Sequence, residues 1–141
     1  KALSDKKGEI VRAYIPKNQL NWLRKDLAKT DKQTVVFSHQ SLEHWGGVKN
    51  REEVREIFAE ANKESKKVIA CFCGHDHVND YAGTHDGIAM VYGRATGHAG
   101  YGGDKIRKGG KLITLDTTSG RHSWKTVFAN GKTWVPSEKV Q

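Results

Sequence analysis

The chain has 141 residues, enough for one domain or part of one, and 36% of them are hydrophobic and 28% charged, as in an ordinary globular protein. No apolar run approaches the roughly 18 residues of a membrane span, so we expect no membrane partner. The formal net charge of +8 attracts phosphate groups or nucleic acid, but scattered lysines produce it, which favours an ordinary solvated surface.

The chain opens on Lys1 and not on methionine. We therefore expect that a segment precedes it, and whether that segment carries a targeting signal stays open. Pro16 suits the first position of a helix. Leu20, Leu23 and Leu27 recur at helical spacing, with Trp22 beside them, so residues 16–29 are predicted to form an amphipathic helix that packs on the core.

Two short apolar runs, at residues 34–38 and 68–73, are predicted to be buried strands. Between them, Asn50 and Glu53 resemble a capping box, and residues 50–65 are predicted to form the second helix. Because a helical crossover joins the two strands, we expect them to lie side by side and parallel.

Cys71 and Cys73 lie two residues apart on the second of these strands, a spacing unsuited to an unstrained disulfide. We expect buried free thiols, which favour a reducing compartment and slightly favour the cytoplasm.

The second half of the chain is predicted to form short antiparallel strands at residues 81–84, 88–92, 112–115 and 124–128. Asp86-Gly87 and Asn130-Gly131 are hairpin signals. The glycine-rich loop at residues 93–103 matches neither a P-loop nor a dinucleotide fingerprint. The fold class is therefore α/β, with parallel strands followed by an antiparallel meander.

Three histidines fall at the ends of the two parallel strands. His39 follows the first strand, and His75 and His77 follow the second directly after Gly74. Carboxyl ends of adjacent parallel strands meet at one edge, where α/β sites form. Imidazole is a common ligand of zinc, manganese and iron, so this edge is a candidate metal site. The alternative is that the histidines are hydrogen-bonded loop residues.

A rival metal site would combine Cys71 and Cys73 with His75 and His77. An extended strand places Cys71 about 20 Å from His77, however, which is too far for ligands of one ion. His44 and His98 lie in loops that can overhang the edge, where they would bind substrate phosphate or protonate a leaving group. The alternative is that each of them is an ordinary loop histidine.

The run at residues 35–39, Val-Val-Phe-Ser-His, followed by Gly-His-Asp-His at residues 74–77, resembles the last two metal-binding motifs of the calcineurin-like metallophosphoesterases. That superfamily includes the purple acid phosphatases, and the resemblance covers most of residues 15–116. It implies a β-sandwich flanked by helices, with residues 1–141 as the C-terminal segment of a larger metallophosphoesterase domain.

The resemblance also implies two metal ions (Mn, Zn or Fe), with His39 and His75 on one ion and His77 on the other. In such enzymes a metal-bound hydroxide attacks the phosphorus of a phosphoester substrate. The family's earlier motifs are Asp-x-His, Gly-Asp with a bridging aspartate, and Gly-Asn-His, and none of them precedes His39 in this chain. Its Gly-Asp pair, at residues 103–104, follows the histidine motifs. We therefore expect an N-terminal remainder of the domain as partner, and weak or no hydrolysis by these 141 residues alone.

Two other functions stay open at this point. One is a nucleic-acid-processing nuclease of the same architecture, which only the net charge of +8 favours. The other is a non-catalytic binding module whose histidines are structural.

Overall fold

The computed structural model describes residues 3–4, 10–11, 13–43, 47–102 and 106–136. Within these ranges the chain forms two helices, three small sheets and the loops between them. The helices are α1 (Lys17–Lys29) and α2 (Arg51–Ala61), and the strands are β1 (Leu3–Ser4), β2 (Ile10–Val11), β3 (Thr34–Phe37), β4 (Val68–Cys73), β5 (Ala82–His85), β6 (Ile88–Tyr92), β7 (Gly109–Leu115), β8 (His122–Phe128) and β9 (Thr133–Trp134).

The central sheet has four strands in the order β3-β4-β6-β5. Strands β3 and β4 are adjacent and parallel, with Phe37 opposite Phe72, as the crossover predicts. Strand β6 also runs parallel to β4 and forms an antiparallel hairpin with β5. The sequence pattern does not predict that β6 lies between β4 and β5. The continuous burial of β6 is nevertheless typical of an inner parallel strand.

One face of the central sheet is covered by both helices. Leu20 and Leu27 of α1 and Phe58 of α2 are buried in the same cluster as Val68 of β4. Trp22, by contrast, is 55% exposed, so the prediction that it packs on the core is wrong. It lies two positions from Leu20, which places it on the opposite side of the helix.

The other face is covered by the second sheet, in which β7, β8 and β9 pair antiparallel. Ile113 of β7 and Trp124 of β8 pack against buried residues of the central sheet. The ring of Trp124 meets that of Phe72 edge to face, with 5.9 Å between centroids. The architecture is therefore α/β with a helix layer, a mixed sheet and an antiparallel sheet, which confirms the predicted fold class.

A buried ionic cluster joins the two sheets. Asp80, whose side chain is 1% exposed, lies just before β5. It accepts hydrogen bonds from Arg94 Nε (2.6 Å), from Thr126 Oγ1 of β8 (2.8 Å) and from Lys111 Nζ of β7. Burial lowers the pKa of Lys111, and the bond and charge of Asp80 oppose that shift.

Asn50 precedes α2 but makes no cap hydrogen bond with its side chain, so the capping-box prediction is wrong. Its amide instead accepts from Ile15 N and donates to Ile15 O, each at 3.0 Å. Asn50 thereby ties the start of α2 to the segment that leads into α1. Neither described helix combines the length and apolarity needed to cross a bilayer.

Candidate metal centre

Three parallel strands deliver loops to one edge of the central sheet. His39 follows β3, Gly74 follows β4 and Gly93 follows β6. Backbone hydrogen bonds continue beyond the strand ends, from Gly74 N to His39 O (2.9 Å) and from Gly93 N to Cys73 O (2.6 Å). The loops that carry the histidines are therefore fixed to each other directly above the sheet.

His39 and His75 meet at this edge. Nε2 of His39 lies 3.2 Å from Nδ1 of His75, and the two rings are nearly perpendicular at 84°. Two nitrogens bound to one zinc ion at about 2.0–2.1 Å and a roughly tetrahedral angle would be about 3.3 Å apart. The separation thus suits two ligands of one ion, and it equally suits a direct hydrogen bond between the rings.

The backbone of His75 adopts a left-handed conformation, with φ of 86°, which is unfavourable for a side chain with a Cβ atom. Neighbouring hydrogen bonds hold it there. Asp76 N donates to Tyr92 Oη at 2.7 Å, and Tyr101 Oη lies 3.4 Å from His75 O. Local strain of this kind is often found at functional sites.

His77 has different surroundings. Its ring stacks on Tyr101, with centroids 4.2 Å apart and 9° between the planes. Its Nδ1 atom is buried and, within the part of the chain that the structure describes, has no hydrogen-bond partner. An unpaired buried ring nitrogen is uncommon in proteins.

The Asp76 carboxylate is held by hydrogen bonds within its own loop and to the glycine-rich loop. Its carboxylate accepts from Asn79 Nδ2 (2.9 Å) and Val78 N (3.3 Å), and Oδ1 lies 3.1 Å from Tyr101 Oη. Sequence reasoning overlooked this role of Tyr101. A tyrosine in a glycine-rich loop gives no signal, because the bond depends on how two loops meet in space.

The substrate-binding roles predicted for His44 and His98 stay predictions. His98 is exposed on the glycine-rich loop, and no hydrogen bond or ring contact joins it to the other described histidines. His44 lies outside the described residues. A cavity of about 450 Å³ borders His39 and is walled by Phe37, Phe72 and Ile113.

Cys71 and Cys73 are free cysteines, as expected. Burial is the main cause that raises the pKa of Cys71 to about 12 and that of Cys73 to about 11. Both thiols therefore stay protonated near neutral pH. Cys71 is buried whereas Cys73 is partly exposed, so the expectation of two buried thiols holds for Cys71 alone.

Among the described residues, no three His, Cys, Asp or Glu side chains are grouped so that they could hold a metal ion. The structure brings His39 and His75 together, with His77 two residues further along the loop, and the role of all three as metal ligands stays a prediction. Imidazole donors suit zinc, iron or manganese.

No protein-family model matches the chain. Curated relatives do match it. Probable inactive purple acid phosphatase 28 of Arabidopsis thaliana is 37% identical over 67 residues, which are 48% of this chain and 17% of that protein. Probable inactive purple acid phosphatase 29 of the same plant is 31% identical over 67 residues, again 48% of this chain and 17% of that protein.

The matched segment is thus about half of the chain and a small part of each relative. Both names describe purple acid phosphatases that are called inactive, so the similarity supports a phosphatase-like fold and leaves catalysis open. The family generally binds a binuclear metal centre. Over about half of its length the chain is therefore similar to purple acid phosphatases, and it spans 17% of the length of each of these two relatives.

Proposed function

We propose that the chain supplies the C-terminal histidine ligands of a binuclear metal centre in a metal-dependent phosphoester hydrolase, a phosphatase or phosphodiesterase. The observation that supports this most is the 3.2 Å approach of His39 Nε2 and His75 Nδ1. Two ring nitrogens at that separation suit one ion, and they lie at the sheet edge where α/β proteins place their sites.

In this proposal His39 and His75 hold one ion and His77 holds the other. Two bound ions, of manganese, zinc or iron, would polarise the phosphoester and neutralise charge on its oxygens. The protein's part is to fix the ligands. Strand ends and the bond from Gly74 N to His39 O set the pair at a constant spacing, and preorganised ligands need no rearrangement on binding.

The remaining ligands would come from an N-terminal remainder of the same domain, which acts as the partner of this chain. The chain lacks the upstream carboxylate motifs, and carboxylates usually bridge or complete such centres. The small-molecule phosphoester would approach at the cavity of about 450 Å³ beside His39. His98 and His44 are the candidates for contact with its phosphate.

The test uses the protein at its natural length. Initial rates with p-nitrophenyl phosphate and bis(p-nitrophenyl) phosphate are measured after loading with Mn²⁺ or Zn²⁺. We expect His39→Ala and His75→Ala to lose more than the roughly 10–100-fold that removal of an outer-shell partner costs. His122→Ala is the matched control, because His122 stacks on Trp124 in the second sheet. Rates of all three variants equal to wild type would contradict the proposal.

A non-catalytic metal-binding module is the second candidate. It is favoured by the relatives' names, which call them inactive. The same variants separate the two functions. Metal uptake that depends on His39 and His75, without metal-dependent hydrolysis at natural length, would select the binding module.

A further inference from the structure

The glycine-rich loop that follows β6 closes over His77. The Tyr101 ring lies parallel to the imidazole, 4.2 Å from it between centroids. The stack covers one face of the ring and removes it from water. Tyr101 itself stays 59% exposed, so burial of the tyrosine does not explain its position, and the contact with His77 does.

The hydroxyl of Tyr101 binds the backbone of the same histidine motif. It accepts a hydrogen bond from His77 N at 3.0 Å, and it lies 3.1 Å from Asp76 Oδ1, to which it can donate. One side chain thus fixes both the main chain and the ring of His77. A pair of contacts of this kind restricts the side chain to one rotamer.

Gly100 closes the edge of the ring. A Cβ atom at this position would lie 2.5 Å from His77 Nδ1 and 2.7 Å from its Cε1, closer than such atoms approach in proteins. Only glycine fits while the imidazole stays where it is. The close approach also explains why Nδ1 is buried and has no hydrogen-bond partner in the described part of the chain.

We infer that Gly100 and Tyr101 are positioning residues for His77: they cover its Nδ1 edge and one ring face, so that Nε2 is the nitrogen left to bind an ion. The role as a metal ligand rests on the proposed function, whereas the orientation of the ring does not. Leaving His77 Nδ1 buried without a hydrogen-bond partner is unfavourable. The same contacts, however, fix the orientation of the His77 ring, as outer-shell residues do for metal ligands.

The first pair of variants is Gly100→Ala with Gly97→Ala as control. Both glycines lie on the same loop, and a Cβ at residue 97 meets nothing within 4 Å. Neither has a left-handed backbone that alanine would strain. The second pair is Tyr101→Leu, which loses the aromatic stack and the hydroxyl, and Tyr101→Phe, which keeps the stack.

The measurement is nuclear magnetic resonance of histidine ring protons in the metal-free chain. We expect the stacked tyrosine to shift His77 ring protons upfield in wild type and in Tyr101→Phe, and this shift to be lost in Tyr101→Leu. Gly100→Ala should move the His77 signals and Gly97→Ala should not. Unchanged His39 and His75 signals show that each variant is folded. Equal His77 signals in Gly100→Ala and Gly97→Ala, or in Tyr101→Leu and wild type, would overturn the inference.

Zinc titration of the same variants, in the protein at its natural length, separates this inference from the proposed function. We expect Gly100→Ala to weaken zinc binding at His77 by about 10–100-fold relative to Gly97→Ala, as is typical when a ligand loses its support. Zinc binding that is equal in these two variants overturns the positioning role. If wild type itself takes up no zinc while the ring signals behave as expected, the orientation stands and the proposed function fails.

Discussion

At the scale of single residues, Asp80 connects the central sheet to the second sheet. Its carboxylate is buried with two cations, Arg94 and Lys111, whose side chains are 8% and 7% exposed. The Arg94 guanidinium also lies over the Phe128 and Trp134 rings, at 5.3 and 5.0 Å from their centroids. Nothing in the residue spacing indicates this cluster, because its members come from a loop and three different strands or strand ends.

Replacement of this carboxylate should therefore be costly. We expect Asp80→Asn to lower the free energy of unfolding by about 3–5 kcal/mol, because two buried cations lose their counter-charge. Asp31→Asn, at an exposed loop position, should change it by less than about 0.5 kcal/mol. Urea unfolding followed by tryptophan fluorescence measures both. A loss for Asp80→Asn no larger than that of Asp31→Asn would show that the cluster does not hold the sheets together.

At the scale of elements, the strands that carry the histidines are the best predicted part of the chain. Short, continuous apolar runs specify β3 and β4, and the intervening helix requires a parallel crossover. The parallel crossover brings His39 and His75 to one edge of the sheet, where their rings approach to 3.2 Å. Their role as metal ligands stays a prediction.

The loops are less predictable than the strands. Hairpin turns follow from Asp86-Gly87 and Asn130-Gly131, and Asp86 and Gly87 both have positive φ, at 50° and 74°. Contacts between loops, such as the stack of Tyr101 on His77, depend on how the loops pack in three dimensions. They therefore produce no periodic pattern in the sequence. The hydrogen bonds of Asn50 are equally hard to predict, because its side chain binds the backbone of Ile15 and does not cap its own helix.

The turn between β7 and β8 contains a carboxyl group, Asp116, that should make the stability of the fold depend on pH. The Ser119 hydroxyl, with the backbone N–H groups of Ser119 and Thr118, donates to Asp116 and lowers the pKa of that carboxyl. A lowered folded-state pKa stabilises the fold above the ordinary value of the group, and this contribution is lost as pH falls through the folded-state pKa.

We therefore expect Asp116→Asn to be less stable than wild type at about pH 6, with the difference shrinking toward about pH 3 as wild-type Asp116 becomes protonated. Thermal unfolding at several pH values measures the difference. Asp31→Asn, with no such donors in the described structure, serves as control. A difference that is constant with pH would mean that the charge of Asp116 contributes nothing to the turn.

At the scale of the whole molecule, two covering layers leave one edge of the central sheet for chemistry. Helices cover one face and the second sheet covers the other, while His39 and His75, beyond the carboxyl ends of β3 and β4, are exposed. The chain spans 17% of the length of the relatives it matches. The contact of His39 and His75 at that edge agrees with the proposal that the rest of a metal centre lies on another part of the domain.

The most direct test of the central claim is a crystal structure of the chain soaked with Zn²⁺, with anomalous diffraction recorded at the zinc edge. We expect an anomalous peak within about 2.0–2.1 Å of both His39 Nε2 and His75 Nδ1. Loss of the peak in His39→Ala, and its retention in His122→Ala, would assign it to the pair. A peak beside Cys71 and Cys73, or none near His39 and His75 in a crystal whose other sites take up zinc, would contradict the account.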